Sequence, residues 1–317
     1  MALCGCGVWT LAWQPVILAG VKSGLLWTTN RWRPQCYFSM AIIRDLFGFA
    51  SSLLLSGLLN VVFINVYSLV IPRLYPKREL GLFTQGNKIC DPIVSLVYGS
   101  IQNATYPIFS NIQNQHDRLI NAYRKSIRFT SFLTFPLLIG GVMVAPALFR
   151  LLFKSEWWDA IPFFQLLCMG GCFTVLTAIN NNFIKVSGRS SGILRIEIIK
   201  MALTAVSIAL LARESVLAMV AGLMAVRGVV HLINIYYTQR YTGYGMWAQL
   251  CDTVPYLLLA VVMAAAVWSV GLVVDKPWLL LPLQIVAGAA VYTLLAYATG
   301  SKILKDAIRL LLKKETL

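Results

Sequence analysis

The stretch from Leu46 to Ile71, LFGFASSLLLSGLLNVVFINVYSLVI, carries no charged side chain; Arg44 and Asp45 precede it and Arg73 follows. Roughly 20 mostly apolar residues, at 1.5 Å rise each, cross about 30 Å of hydrocarbon, so this run reaches across a bilayer with some tilt. Hydrocarbon offers the backbone no water to bond, and a single apolar run meets that demand as a helix. The rest of the chain repeats the pattern. Hydrophobic residues make up 58% of it and charged residues 12%, against about 25% charged in a soluble domain. The pattern predicts an all-α polytopic membrane protein of about nine transmembrane helices, near 8–27, 46–71, 91–112, 129–152, 161–183, 194–212, 215–237, 252–274 and 278–299. Pro15 and Lys22 interrupt the first, and the sixth begins weakly at Arg195 and Glu197.

The net charge of +15 would suggest nucleic acid on a soluble protein. No nucleic-acid module accompanies it, and basic residues in a membrane protein set topology and meet anionic headgroups. The connectors 28–45, 113–128, 184–200 and 238–251 and the tail together hold 17 Lys and Arg; the connectors on the other side hold 7. The richer side is cytoplasmic by the positive-inside rule, which places the C-terminus inside. The tail SKILKDAIRLLLKKETL, residues 301–317, alternates basic and apolar residues at helical spacing, as an amphipathic segment on the inner leaflet does. Nine spans then put the N-terminus outside. The opening MALCGCGVW has no basic signal-peptide region. The expectation is a chain that begins partway through a longer design. The connectors, among them 73–90 on the outer side, are too short for a soluble catalytic domain, and no Gly-rich nucleotide loop occurs.

Polar side chains inside hydrocarbon are costly and therefore informative. On a helical wheel of the third span, Asp91, Ser95, Tyr98, Gly99, Gln102, Asn103, Tyr106 and Ser110 fall in one arc. The opposite side carries Ile93, Val94, Val97, Ile101, Pro107 and Ile108. Such a stripe is the wall of a hydrated cavity or a helix–helix seam of small and amide side chains. Ser52, Ser56 and Asn60 recur every four residues on the second span and leave the same choice open. The seventh span holds Arg227 near its middle, with His231, Asn234 and Thr238 on the same face. A central Arg needs water, an anion or a neighbour's carbonyls. Lys22, five residues from the cytoplasmic end of its span, either snorkels to headgroups or faces the interior. The run Asn180-Asn181-Asn182 reads as an interface rather than a site. All 12 acidic residues fall in connectors or near span ends, which argues against a carboxylate proton relay, a paired-carboxylate glycosidase or a metal hydrolase.

The seven cysteines form no framework: Cys4 and Cys6 open the chain, Cys36 and Cys90 sit in connectors, and Cys168, Cys172 and Cys251 lie in or beside spans. Cys168 and Cys172 share a helix face, but a metal site would need companions. The only histidines are His116 and His231. Apolar filling is the better reading, and no cofactor or metal is expected.

Several segments together resemble a family. They are NVYSLVI at the end of the second span, the connector ELGLFTQGN, and YPIFSNIQ at the end of the third. DRLINAYRKSIRF, TFPLLIGG around Pro136, APALFRLLFKSEWWDAIPFFQLL and the Gly188-Arg189 turn follow. This set is similar to Wzx-type lipopolysaccharide and exopolysaccharide flippases, in the polysaccharide-transporter branch of the multidrug/oligosaccharidyl-lipid/polysaccharide exporter superfamily. It extends over residues 8 to 240, with hydropathy alone thereafter. The resemblance implies the C-terminal part of a 14-helix, two-lobe fold, matched from its sixth span onward. Residues 1–45 would be the last helix of the N-terminal lobe and a cytoplasmic connector. Residues 46–245 would be the six-helix C-terminal lobe, 246–300 two extra helices, and 301–317 the basic tail.

It further implies flipping of undecaprenyl-pyrophosphate-linked oligosaccharide across the bacterial inner membrane, by a transporter and not an enzyme. Partners would be the lipid-linked substrate, membrane lipids, and the polymerase and glycosyltransferases of the same pathway, with no nucleic acid. Arg227 and Lys22 would meet the anionic headgroup. Asn60, Tyr98, Gln102, Asn103, Tyr106, His231 and Asn234 complete the candidate cavity. A cation-coupled multidrug-type exporter, an inactive fragment and a membrane-embedded polymerase remain as alternatives.

Overall fold

The structure, a computed structural model, describes residues 9–30, 39–188, 190–274, 276–301 and 303–304. Cys4, Cys6, Cys36, Arg189 and the basic tail from residue 305 lie outside the described residues. Within them the chain forms α1 (Trp9–Thr29), α2 (Met40–Leu74), α3 (Lys77–Asn111), α4 (His116–Leu152), α5 (Ile161–Val186), α6 (Ser190–Leu211), α7 (Val216–Thr242), α8 (Met246–Val273) and α9 (Pro277–Ala298). A short 3-10 turn, Ser155–Ala160, leads into α5. The chain divides into two compact units, Met1–Leu46 and Phe47–Leu317.

Among the described residues, six helical stretches are long and apolar enough to cross a membrane: Ala50–Leu74, His116–Leu152, Ser155–Val186, Val216–Arg240, Met246–Val273 and Pro277–Ala298. The chain is an integral membrane protein of the helical class. α6 carries Arg195, Glu197 and Lys200, which dilute its hydropathy. Part of its burial is inverted relative to a water-soluble helix: Lys200 and Thr204 are buried and Ile198, Val206 and Leu210 are more than half exposed, while Ile193 and Ile196 are also buried and Arg195 is exposed. Apolar surface turned outward and charge turned inward is what a lipid environment selects.

Several predicted boundaries are corrected. The expected connector 73–90 is not a loop. α3 begins at Lys77, and only the Tyr75-Pro76 turn separates it from α2. The expected connector 113–128 shrinks in the same way, because α4 starts at His116. Charge marks where hydrocarbon ends, not where the helix ends. Leu82, Phe83 and Cys90, and then Leu119, Tyr123 and Ile127, continue a buried face through the polar turns. α1 runs unbroken past Pro15 and Lys22, since a proline removes one intrahelical bond without stopping a membrane helix. α7 has defined ends. The Ser215 hydroxyl accepts from Ala218 N at 3.0 Å, and Gly243 takes the left-handed conformation, φ 65°, that lets a helix close on a glycine.

In the second unit α5 is central, packed against α3, α4, α6 and α7, while α8 and α9 pack on α4. Beyond Phe47, α2 meets this bundle through the buried side chains Phe63, Tyr67 and Ile71. The Tyr75 hydroxyl also donates to Ala212 O at 3.0 Å.

Candidate functional site

The space between α2, α3, α5, α6 and α7 is a cavity of about 910 Å³. Its wall on α3 is the polar stripe: Asp91, Ser95, Tyr98, Gln102, Asn103 and Tyr106 all face it. Gln102 Nε2 donates to the Tyr98 hydroxyl at 3.0 Å, so the i,i+4 spacing joins the two side chains on one face. On α2, Ser56 and Asn60 reach the cavity, while the Ser56 hydroxyl bonds back to Ser52 O at 2.6 Å.

Arg227 and Asn234 of α7 also line it. The Arg227 side chain crosses α5 at Gly170, where an added Cβ would lie 3.2 Å from its Cδ and 3.4 Å from Nη1. It shares the wall with Tyr67, Cys90 and Asp91. Among the described residues no hydrogen-bond or ion-pair partner holds its guanidinium.

One expected site residue of the second unit, His231, does not line the cavity. His231 turns toward α5, with Nδ1 3.1 Å from the Thr177 hydroxyl and its ring against Phe173. It shares the i,i+4 row of Arg227, but that row rotates away from the cavity over one turn. Lys22 is on α1, in the first unit, with an exposed side chain.

The three asparagines divide their work. Asn180 accepts from the Tyr123 hydroxyl at 2.7 Å on the α4 side. Asn182 donates to Gln102 O at 3.1 Å and to Thr105 Oγ1 at 2.8 Å on α3. Asn181, between them, lines the cavity, as does Lys185 one turn on.

Sequence reasoning missed the charged group on α6. Lys200 Nζ lies 2.5 Å from Glu197 Oε2 and 3.0 Å from Asn60 Oδ1, over the ring of Phe63 at 4.3 Å. Lys200 and Glu197 both face the cavity. Their i,i+3 spacing was a signal for a shared face, obscured by placing them at a span end. The sequence reading places both Asp91 and Glu197 near the starts of their spans. Asp91 lies well inside α3 and Glu197 inside α6, and both are on the cavity wall.

A second polar cluster is structural. Asp252 of α8 takes Arg124 Nε at 3.1 Å and Arg128 Nη2 at 2.6 Å, both from α4. It also accepts from the Tyr244 hydroxyl. Burial raises the Tyr244 phenol above its ordinary pKa, so it remains a donor at neutral pH. This cluster ties α8 to α4 and does not line the cavity.

Residues 1–162 match the family described as polysaccharide biosynthesis protein. The chain belongs to that family. It is similar to the teichuronic acid biosynthesis protein TuaB of Bacillus subtilis, 26% identical over 177 residues, 55% of this chain and 37% of that protein. It is 25% identical to the succinoglycan biosynthesis transport protein ExoT of Rhizobium meliloti, over 53% of this chain and 34% of that one. With the lipopolysaccharide biosynthesis protein WzxC of Escherichia coli it shares 25% identity over 44% of this chain and 28% of the relative. The matched stretch spans about a third of the length of these curated relatives. The Wzx-type resemblance thus holds at family level. A solved structure of the lipid II flippase MurJ, in an inward closed conformation, has the same fold at a TM-score of 0.66 and 14% identity. That likeness covers 86% of this chain and 57% of MurJ.

Proposed function

We propose that this polysaccharide biosynthesis protein is a flippase for undecaprenyl-pyrophosphate-linked oligosaccharide in the bacterial inner membrane, and that the cavity holds the headgroup in transit. One observation carries this reading: a guanidinium with no hydrogen-bond or ion-pair partner among the described residues, on the wall of a polar cavity inside an apolar bundle. Inserting a central Arg costs at least ~2.5–3.5 kcal/mol unless water or an anion meets it, and its fork suits a phosphate. Gln102, Asn103, Asn181, Tyr98 and Tyr106 offer amide and hydroxyl groups to sugar hydroxyls, while the lipid tail stays in the bilayer. The protein acts as a transporter, supplied by glycosyltransferases and drained by a polymerase of the same pathway.

Gln102→Leu and Asn103→Leu, made in cells that express the protein from its own locus, should lower surface polysaccharide severalfold with membrane protein near the wild-type amount. Normal polysaccharide from both variants would overturn the cavity as headgroup site. Loss of the protein itself would identify the stripe as a packing seam.

The orientation has its own test. With the C-terminus in the cytoplasm, a cysteine replacing Ser155 should be labelled by a membrane-impermeant thiol reagent in intact cells. One replacing Ser301 should be spared. Equal labelling of both would reject that topology.

A further inference from the structure

The most extensive seam in the bundle joins α3 to α5, and its residues step in register. A Cβ on Gly86 would lie 2.9 Å from Phe164 N; a Cβ on Gly171 would lie 2.6 Å from Val94 Cγ2. Glycine on α3 at one contact and on α5 at the other brings the two backbones close. Midway between them, Cys90 Sγ stands 3.5 Å from Cys168 Sγ. Disulfide sulfurs are about 2.05 Å apart, so each sulfur needs to move by less than about 1 Å to bond. The two thiols differ in access. Both are buried, but Cys90, 3% exposed, lines the cavity, whereas Cys168 has no exposed surface and does not line it.

We propose that Cys90 and Cys168 are a reversible thiol–disulfide pair that bolts α3 to α5, with Cys90 as the entry thiol and Cys168 as the resolving thiol. The oxidant is a low-molecular-weight disulfide that arrives through the cavity. The Cys90 thiol gives up its proton and its sulfur attacks one sulfur of the small disulfide. That S–S bond breaks, and one small thiol leaves carrying a proton. The Cys168 sulfur, losing its own proton, then attacks the Cys90 sulfur and expels the second small thiol. Two protein thiols are oxidised and one small disulfide is reduced to two thiols. The bridge pins the helix that carries Asp91, Tyr98, Gln102 and Asn103 to the centre of the bundle, so the cavity wall can no longer slide along α5. This inference rests on the seam geometry and is independent of the transported substrate.

The test uses the purified full chain in detergent micelles with Cys4→Ser, Cys6→Ser, Cys36→Ser and Cys251→Ser, treated with 2-hydroxyethyl disulfide. The intact mass should fall by two hydrogens. After limited proteolysis, the fragments bearing Cys90 and Cys168 should stay joined until dithiothreitol is added. Adding Cys168→Ser should trap a single mercaptoethanol adduct on Cys90. Adding Cys90→Ser should leave Cys168 unreacted, and Cys172→Ser should bridge like the parent. A bridge through Cys172, or an adduct on Cys168 in the Cys90→Ser protein, would overturn the assignment. So would two unreacted thiols under conditions that fully modify the exposed Cys251 of the unsubstituted chain.

Discussion

Replacing Arg227 by Gln is expected to remove most transport of lipid-linked sugar while leaving the amount of protein in the membrane unchanged. A charge-assisted hydrogen bond is worth ~1.5–3 kcal/mol, roughly a 10- to 100-fold loss when binding of the headgroup limits the rate. Arg227→Lys keeps the charge and loses the fork, so it should retain part of the activity. Protein levels should hold because no protein acceptor among the described residues is orphaned by the change. The competing role, a guanidinium bonding the carbonyls of a neighbouring helix, predicts the opposite pattern. Gln would then keep some of those bonds, and relief of the cost of a buried cation would raise stability. Flipping is read as appearance of lipid-linked sugar in the outer leaflet, normalised to membrane protein. Wild-type flipping by the Gln form would end the headgroup role for this residue.

Gly86→Ala should destabilise the bundle by ~1–3 kcal/mol, the usual penalty for overpacking a close contact. The new Cβ would lie 2.9 Å from Phe164 N and 3.1 Å from Phe163 Cβ. The first of these is backbone, which cannot swing aside as a side-chain tip can, so α3 and α5 would have to separate. Gly99→Ala is the matched control on the same helix, since its Cβ meets nothing within 4 Å. It should be neutral or stabilising by ~0.5–1 kcal/mol from helix propensity. Thermal midpoints of the purified proteins decide the matter. Equal midpoints for Gly86→Ala and wild type would show that the seam is looser than its geometry.

The cavity also bears on the rival within the superfamily. A cation-coupled exporter would need acids facing its cavity, and Asp91 and Glu197 stand on this wall. Glu197 is already ion-paired with Lys200. Among the described residues, Asp91 has as hydrogen-bond partner only the Ser95 hydroxyl at 3.5 Å, within its own helix. Asp91 is therefore the carboxylate that a coupling ion would meet first. Asp91→Asn separates the two readings: an ion-driven exporter loses its dependence on the ion gradient, while headgroup binding at Arg227 survives.

The sequence by itself determined the class of the protein and the polar face of α3. Both follow from one-dimensional patterns: apolar runs of membrane length, and a 3.6-residue period that brings Asp91, Tyr98, Gln102 and Asn103 together wherever the helix goes. Family membership was legible too, because short segments such as ELGLFTQGN and YPIFSNIQ carry it locally. Only the tertiary structure decided which polar groups share a space. Asn60 of α2 and Lys200 of α6 are 140 positions apart and meet at 3.0 Å. Asn180 and Asn182 look alike in sequence yet face Tyr123 on one side and Thr105 on the other. His231 stands one turn from Arg227 and does not line the cavity itself, its ring being turned to Thr177 of α5. Helical period fixes the angle of a side chain on its own helix. What stands at that angle depends on how five helices pack, and Gly86, Gly170 and Gly171 set part of that packing by allowing close approach. Charge misled the reading of α3 for a related reason: it reports the depth of the bilayer, and the hydrogen-bonded helix passes that boundary without a break.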